Sequence, residues 1–429
     1  MIWQKYALNP TFTIVETTQW STEKVAFPAL SVCDPQVIYA PNAKNISNIL
    51  RLRGYNDTEV DQFYRSFSNI KKADYVPPDY IKKMHSTLED LGYNYNYLTN
   101  EMRTPCDMLL RRCEWRSKQF DCSTMFRDVF SVAGHCCQFD LQYFRESAGR
   151  EVEFTSGIDI SEALDIQINV IGDGGNDGLV FMYIFDSQNE LTLLDSSITL
   201  SAGTFFDVTV DVWVIDSSND VTALSLRDRQ CFLETEGSSY QSCTMQYIMK
   251  IVIAVCKCIP FNYAVSPPKL HKESFPPCNW PKLKCVYETL DKTLSDMRHV
   301  MSALQCYQKC DYTQYETETE LVKRERNMKK VDETYCRVTV HFGDMTCMKY
   351  RREVLYSWDQ MLANLGGIFG LCLGGSIVSV IEVLWLLADM LYTALTYKNI
   401  SVSVQNPKLK PKENADRKLK YHEHLPYID

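Results

Sequence analysis

Five glycines (Gly366, Gly367, Gly370, Gly374, Gly375), with Asn364, Ser376 and Ser379, fall within 22 consecutive uncharged residues, Gln360–Ile381. Two carboxylates, Glu382 and Asp389, come next. A run of this length makes a helix long enough to cross a hydrocarbon core of roughly 30 Å. An anchor bathed in lipid would be filled with Leu, Ile, Val and Phe. Small residues instead let helices approach closely, or let backbone line a cavity. Carboxylates at membrane depth are costly and face a bundle interior or water. Helix pairing through the small residues, with the acids in the headgroup layer, fits the same pattern. Taken alone, these residues leave both open.

The second chemical signal is cysteine. The chain has 17 Cys, too many for an ordinary reduced cytosolic protein, which points to an oxidising compartment and disulfide staples. Cys372 lies in the apolar run, so an even number remains in the bulk. Cys256-x-Cys258 and Cys306-x-x-x-Cys310 have zinc-like spacing. Histidines do not cluster near them, so no metal site is expected. Neither Gly-x-Ser-x-Gly nor His-Glu-x-x-His occurs, and no catalytic constellation stands out. The chain does not read as an enzyme. Gly172-Asp-Gly-Gly-Asn-Asp-Gly178 lacks the Lys-Ser/Thr of a P-loop and the terminal Glu of an EF-hand, and reads as a hairpin turn.

These features must be held by something large. The chain has 429 residues, 45 Lys+Arg against 54 Asp+Glu, and a net charge of −9. That length allows two or three domains. The negative balance argues against a generic nucleic-acid binder. A mean hydropathy of −0.24 excludes a polytopic bundle but not a single span. The tail Thr396–Asp429 carries seven Lys/Arg against four acids. By the positive-inside rule it is cytoplasmic and the Cys-rich bulk is outside; the disulfide argument gives the same sidedness. Met1–Tyr6 is too short for a signal peptide, so export of the bulk calls for a preceding span, the favoured expectation, or for the downstream helix acting as a reverse signal-anchor.

Along the bulk, Val25–Cys33 reads as a strand, and Asp61–Ile70 and Tyr80–Leu91 as helical patches. Asn45 and Asn56 head glycosylation sequons. Residues 150–230 alternate apolar and polar positions, as strands do. Ser239–Ala254 and Tyr287–Leu304 read as helices, Arg337–Phe342 as a strand, and Lys323–Lys330 as a solvated helix face.

Several pieces, in order, carry a resemblance: Asn9-Pro-Thr-Phe-Thr and Phe27-Pro-Ala-Leu-Ser-Val-Cys33; Cys113-Glu-Trp, Cys122, Phe126 and Gly134-His-Cys-Cys-Gln-Phe139; Arg229-Gln-Cys231, Tyr240, Cys243 and Cys256-Lys-Cys-Ile-Pro260; Cys278, Cys285, Cys306 and Cys310; and Leu365-Gly-Gly-Ile-Phe-Gly-Leu, Gly374-Gly-Ser-Ile-Val-Ser and Glu382. Together they resemble the degenerin/epithelial sodium channel family, which includes acid-sensing channels and the insect pickpocket branch. Cys136-Cys137 and Tyr350-Arg-Arg lean toward the insect branch.

The resemblance implies an α+β membrane protein with a trimeric channel fold. Its palm and β-ball strands would lie at about 25–39, 136–230 and 331–350, its finger at about 40–135 and its thumb at about 231–310. Together these make an extracellular Cys-rich domain over 7–358. A second transmembrane helix would follow at 359–395, then a cytoplasmic tail at 396–429. Residues 1–6 resemble the outer end of the family's first transmembrane helix; that helix and the His-Gly gating motif before it would be missing. The implied disulfides are Cys33–Cys136, Cys113–Cys122, Cys231–Cys310, Cys243–Cys306, Cys256–Cys285 and Cys258–Cys278, with Cys106–Cys137 as a lineage-specific extra. Cys336 and Cys347 are left without an implied pairing. One further thumb bridge of acid-sensing relatives is absent, with Tyr247 and Leu304 at its positions.

The implied function is that of a voltage-independent, amiloride-sensitive-type sodium channel subunit, gated by a ligand, protons or force. Gly374-Gly375-Ser376 would be the selectivity filter, where backbone carbonyls replace a cation's water shell. Glycine would let the helix break there. Glu382 and Asp389 would line the inner mouth, and Ala363 and Asn364 would fall at the gating position. No cofactor is implied beyond permeant Na+. The implied partners are related subunits, as a homo- or heterotrimer, membrane lipid and an extracellular ligand, with no nucleic acid. The expected location is the plasma membrane, multi-pass in the complete protein. The competing reading is a non-conducting single-span receptor or adhesion ectodomain, which would not need the Gly-Gly-Ser and acid pattern.

Overall fold

The computed structural model describes residues 10–403, apart from 35–37, 71, 73, 150–151, 171–178, 194, 238, 261–274, 298–305, 323–334, 356 and 375–376. Two compact units divide the chain, Met1–Leu355 and Tyr356–Asp429.

The first unit is built on two β-sheets. The larger runs in the order β1 (Thr11–Ser21), β13 (Thr346–Val354), β10 (Phe205–Ser217), β12 (Tyr335–Phe342), β7 (Leu164–Asn169), β3 (Leu110–Trp115) and β4 (Lys118–Phe120), and β11 (Tyr312–Val322) pairs with β10. The smaller runs β5 (Phe126–Ser131), β6 (Gly134–Phe139), β2 (Ala29–Cys33), β8 (Leu179–Phe185) and β9 (Ser197–Ser201). Strand β10 is the hub of the larger sheet. It is antiparallel to β11 and parallel to both β12 and β13. Its residues alternate: Val208, Val210 and Val212 are buried, and Asp207, Thr209 and Asp211 lie on the other face. That period of two is what a sheet with one face on the core demands.

The core between the sheets is aromatic and aliphatic. Phe27 meets Trp115, Phe139 and Phe342 edge to face at 5.1–6.0 Å. Such pairs add about 0.5–1.5 kcal/mol beyond area burial.

A second core is helical. It joins α1 (Ala40–Leu52), α2 (Asp57–Asn69), α3 (Asp79–Asp90) and α4 (Tyr95–Glu101) to two later helices, α5 (Tyr240–Cys256) and α6 (Trp280–Ser295). Helix α2 starts where Asn56 accepts from Glu59 N–H and the Glu59 carboxylate returns a bond to Asn56 N–H, a capping box. It buries Val60, Phe63 and Phe67 along one stripe. Trp280 is the keystone: Phe63, Phe67 and Tyr95 surround its ring, and His85 stacks on it at 3.8 Å.

Some expected bounds shift. The helix expected from Tyr287 begins at Trp280, because Pro281 sits in its first turn, where the missing N–H has no partner to lose. Strand β1 was not among the expected strands; its first residues appear only within the motif Asn9-Pro-Thr-Phe-Thr. Its partner β13 lies more than 300 residues away, with Thr11 opposite Val354 and Ser21 opposite Thr346. The turn at Gly172–Gly178, the run Lys323–Lys330, residues 1–6 and the tail beyond 403 lie outside the described residues.

Seven disulfides staple this unit: Cys33–Cys136, Cys106–Cys137, Cys113–Cys122, Cys231–Cys310, Cys243–Cys306, Cys256–Cys285 and Cys258–Cys278. The first closes a separation of 103 residues, a loop length for which chain entropy alone is worth about 4–5 kcal/mol. Cys336 and Cys347 are free and buried. Their neighbours Arg337 and Met348 sit opposite Phe205 and Trp213 on β10. Eight residues of strand is roughly 26 Å, far beyond disulfide reach. Burial pushes the Cys336 thiol up to about 11, so it is an inert core residue.

Candidate pore segment

The second unit begins with a designed stop and start. Ser357 accepts from Gln360 N–H at 3.3 Å, and the Gln360 side chain answers the Ser357 N–H. This cap opens α7 (Trp358–Leu373), which stops at Gly374. Gly374 has φ +61°, and its N–H donates to Gly370 O at 3.1 Å. A side chain in this left-handed conformation costs about 1–2 kcal/mol, so glycine is the residue that ends the helix here. Helix α8 (Ile377–Ser403) then resumes.

The uncharged run Gln360–Ile381 reads by itself as one crossing helix, and the resemblance implies a break at its glycines. The structure divides that run at Gly374 and extends the apolar helix past it. Among the described residues, the helix segment long and apolar enough to cross a membrane is Val378–Leu395, with a mean hydropathy of 1.7. Eighteen residues of helix rise roughly 27 Å, close to the hydrocarbon thickness. Glu382 and Asp389 therefore lie inside the apolar segment and not beyond its end.

They also share a face. Seven residues is two turns, which places the two carboxylates in line, roughly 10 Å apart along the axis. Ser379, one turn before Glu382, extends the row. Thr393, one turn after Asp389, continues it, with its hydroxyl donating to Asp389 O and Met390 O at 2.9 Å. Trp385, three residues after Glu382 and four before Asp389, lies beside the two acids, and Ile381, Leu384 and Leu391 cover other sides of the helix; all are exposed. On α7, Ala363, Gly367, Gly370 and Gly374 follow a spacing of four, three and four residues, one stripe of small side chains. A Cβ added at Gly366, Gly367 or Gly370 would meet nothing within 4 Å beyond its chain neighbours and the backbone of its own helix. Asn364 and Cys372 are exposed on the same helix. Gly375 and Ser376, the other two expected filter residues, lie outside the described residues.

In the first unit, Asn45 is exposed on α1, and exposed Asn56 caps α2. The zinc-like pairs Cys256/Cys258 and Cys306/Cys310 are consumed by disulfides. Cys106, Cys137 and Asp128 converge within 4.8 Å, but the two sulfurs are bonded to each other and offer no thiolate to a metal. Two ionic groups stand out. The buried Arg229 donates to Leu224 O, Cys231 O and the Glu236 carboxylate. Its hydrogen bonds hold Glu236 below the usual carboxylate range. Lys349 lies between Glu16 and Asp216, beneath the ring of Trp20.

A disulfide-stapled β-rich unit joined to an apolar helix that carries in-line acids defines a membrane protein of the channel class. The family model for the amiloride-sensitive sodium channel matches residues 1–386, and the chain belongs to that family of cation channels. Its relatives are channels and not enzymes. Sodium channel protein Nach of Drosophila ananassae is 22% identical over 405 residues, covering 88% of this chain and 75% of the relative. Nach of Drosophila melanogaster is 20% identical over 423 residues, covering 89% and 77%. Pickpocket protein 19 of Drosophila melanogaster is 22% identical over 421 residues, covering 88% and 80%.

Proposed function

We propose that the chain is a subunit of a voltage-independent sodium channel of the plasma membrane, a trimer of like or related subunits. The Cys-rich unit lies outside and the tail inside. Helices α7 and α8 surround the axis, and Gly374-Gly375-Ser376 forms the filter. The observation that carries this reading is the left-handed break at Gly374, followed by two carboxylates in line within an apolar helix. Carbonyls freed at a helix break are cation ligands when they line a cavity. Carboxylates at hydrocarbon depth demand water or a cation beside them. The open space around the α7 glycines suits copies of that helix packing closely. No Arg ladder is present in α7 or α8, so the trigger is a ligand, protons or force, and amiloride is the expected blocker.

The test is current recording from cells expressing the chain with related subunits. Ser376→Cys becomes sensitive to thiol reagents and alters the sodium-to-potassium permeability ratio. Unchanged ratios and no reagent effect would remove Ser376 from the ion path.

A further inference from the structure

We infer that Trp385, with Glu382 and Asp389 on either side of it, binds bulky organic ammonium ions that enter the channel from the cytoplasmic side. This rests on α8 surrounding an ion path, the function proposed for the chain.

Depth sets this side chain apart. Trp385 lies seven residues after Val378 and ten before Leu395, the two ends of the apolar segment. At 1.5 Å per residue it stands roughly 10 Å from one end and roughly 15 Å from the other. Membrane tryptophans collect at the two interfaces, where the ring is in apolar surroundings and its N–H reaches water. Midway through the segment, lipid tails offer the indole N–H nothing to bond, and a polar group left unpaired there is costly. Trp385 is the one tryptophan of α8, and it is 77% exposed within the chain.

Its direction resolves the anomaly. Successive helical residues turn by about 100°, which sets Trp385 about 60° from Glu382 and about 40° from Asp389 around the axis. Along the axis it stands roughly 4.5 Å past Glu382 and roughly 6 Å short of Asp389. Side chains three and four residues apart are neighbours. Both carboxylates need water at this depth, so the face they line is wet, and Trp385 shares it. The indole N–H then has water or a carboxylate to bond. Leu384 and Leu391 lie on the far side of the helix.

An exposed indole face with a carboxylate one turn before it and another one turn after it suits an organic ammonium ion. The ring attracts the cation, tryptophan most strongly of the aromatic residues. The alkyl groups cover the apolar ring, and the carboxylates balance the charge. A sodium ion is smaller and keeps more of its water, so it passes along the carboxylates. An ammonium ion too wide for the break at Gly374 stops at the rings and blocks.

The test applies tetraethylammonium to the cytoplasmic face of patches from cells expressing the chain with related subunits. Sodium current should be blocked. Trp385→Ala should weaken the block at least about tenfold, Trp385→Phe less than about threefold, and Leu384→Ala not at all. An unblocked wild type, or equal block of wild type and Trp385→Ala, overturns the inference. A second measurement needs no current. In a Cys372→Ser background, the Trp385→Cys variant should react with a water-soluble maleimide in opened membranes, and the Leu384→Cys variant should not. Equal labelling of those two, or none of Trp385→Cys, also overturns it. Labelling of Ser376→Cys without Trp385→Cys sinks this inference alone; labelling of neither sinks the ion path with it.

Discussion

Lys349 Nζ on β13 lies 2.8 Å from the Asp216 carboxylate on β10, and 4.2 Å over the ring of Trp20 on β1. One cation thus pins three strands of the larger sheet. The Lys349 side chain is 12% exposed, and its hydrogen bond to Asp216 raises its pKa. Lys349→Met leaves Glu16 and Asp216 facing each other without their counter-ion. The expected loss is about 1–2 kcal/mol of unfolding free energy, read from a urea midpoint. Restoration by a further Asp216→Asn would confirm the ion pair as its source; equal loss in the single and double variants would refute it.

Gly343 follows β12 where nothing larger fits. Its N–H donates to Val210 O at 3.1 Å. A Cβ there would stand 2.7 Å from both Asp211 Oδ1 and Thr209 Cγ2. Gly343→Ala should therefore cost about 1–3 kcal/mol through overpacking, measured by thermal unfolding. Thr209→Ser, which deletes the opposing methyl, should return part of it. A neutral Gly343→Ala would show that this strand end yields.

The helical core should weaken in acid. Burial holds His85 down to about 4, below the ordinary 6.5 of an unfolded histidine. The unfolded chain then binds a proton that the folded chain refuses. Stability is full above about pH 6.5 and falls as pH drops toward 4. The upper bound from this one group is about 3 kcal/mol. His135, held down to about 4 by burial and by Arg103, adds with the same sign. His85→Leu should flatten the change in urea midpoint between pH 7 and pH 5; an unaltered slope would place the acid sensitivity elsewhere.

Asn56 has two separable roles. Its Oδ1 caps α2 while Thr58 Oγ1 donates to the same oxygen, and its sequon offers Nδ2 to a glycan. Asn56→Ala should cost about 1 kcal/mol and the glycan together. Asn56→Ser keeps a capping oxygen and loses only the glycan. Glycosidase-sensitive mobility of the secretory-pathway protein reads the sugar, and thermal unfolding reads the cap. Equal destabilisation by both variants would deny Asn56 its capping role.

Ala363 lies on the small-residue stripe of α7. In co-expressed channels, Ala363→Val should produce amiloride-blocked current without stimulus, because bulk on that stripe keeps the helices apart. A silent channel at the cell surface would count against that position as the gate.

Cysteine number, the apolar run and its glycines are local properties of the chain. They announced an oxidised, membrane-inserted protein, and the ordered motifs told its family. Helix α5 was legible to within two residues at each end, since a helix bonds within itself, whereas α2 was read only from Asp61, one turn after the Asn56 cap that starts it. The pairing within the larger sheet was not legible. Strand β1 meets β13, and Lys349 meets Asp216, across more than 100 residues, and no spacing encodes such a meeting. Register decides it, because a slip of one residue would turn every side chain to the opposite face. Hence the separation of Cys336 from Cys347 and the clamp on Lys349 exist only once β10 has gathered its neighbours.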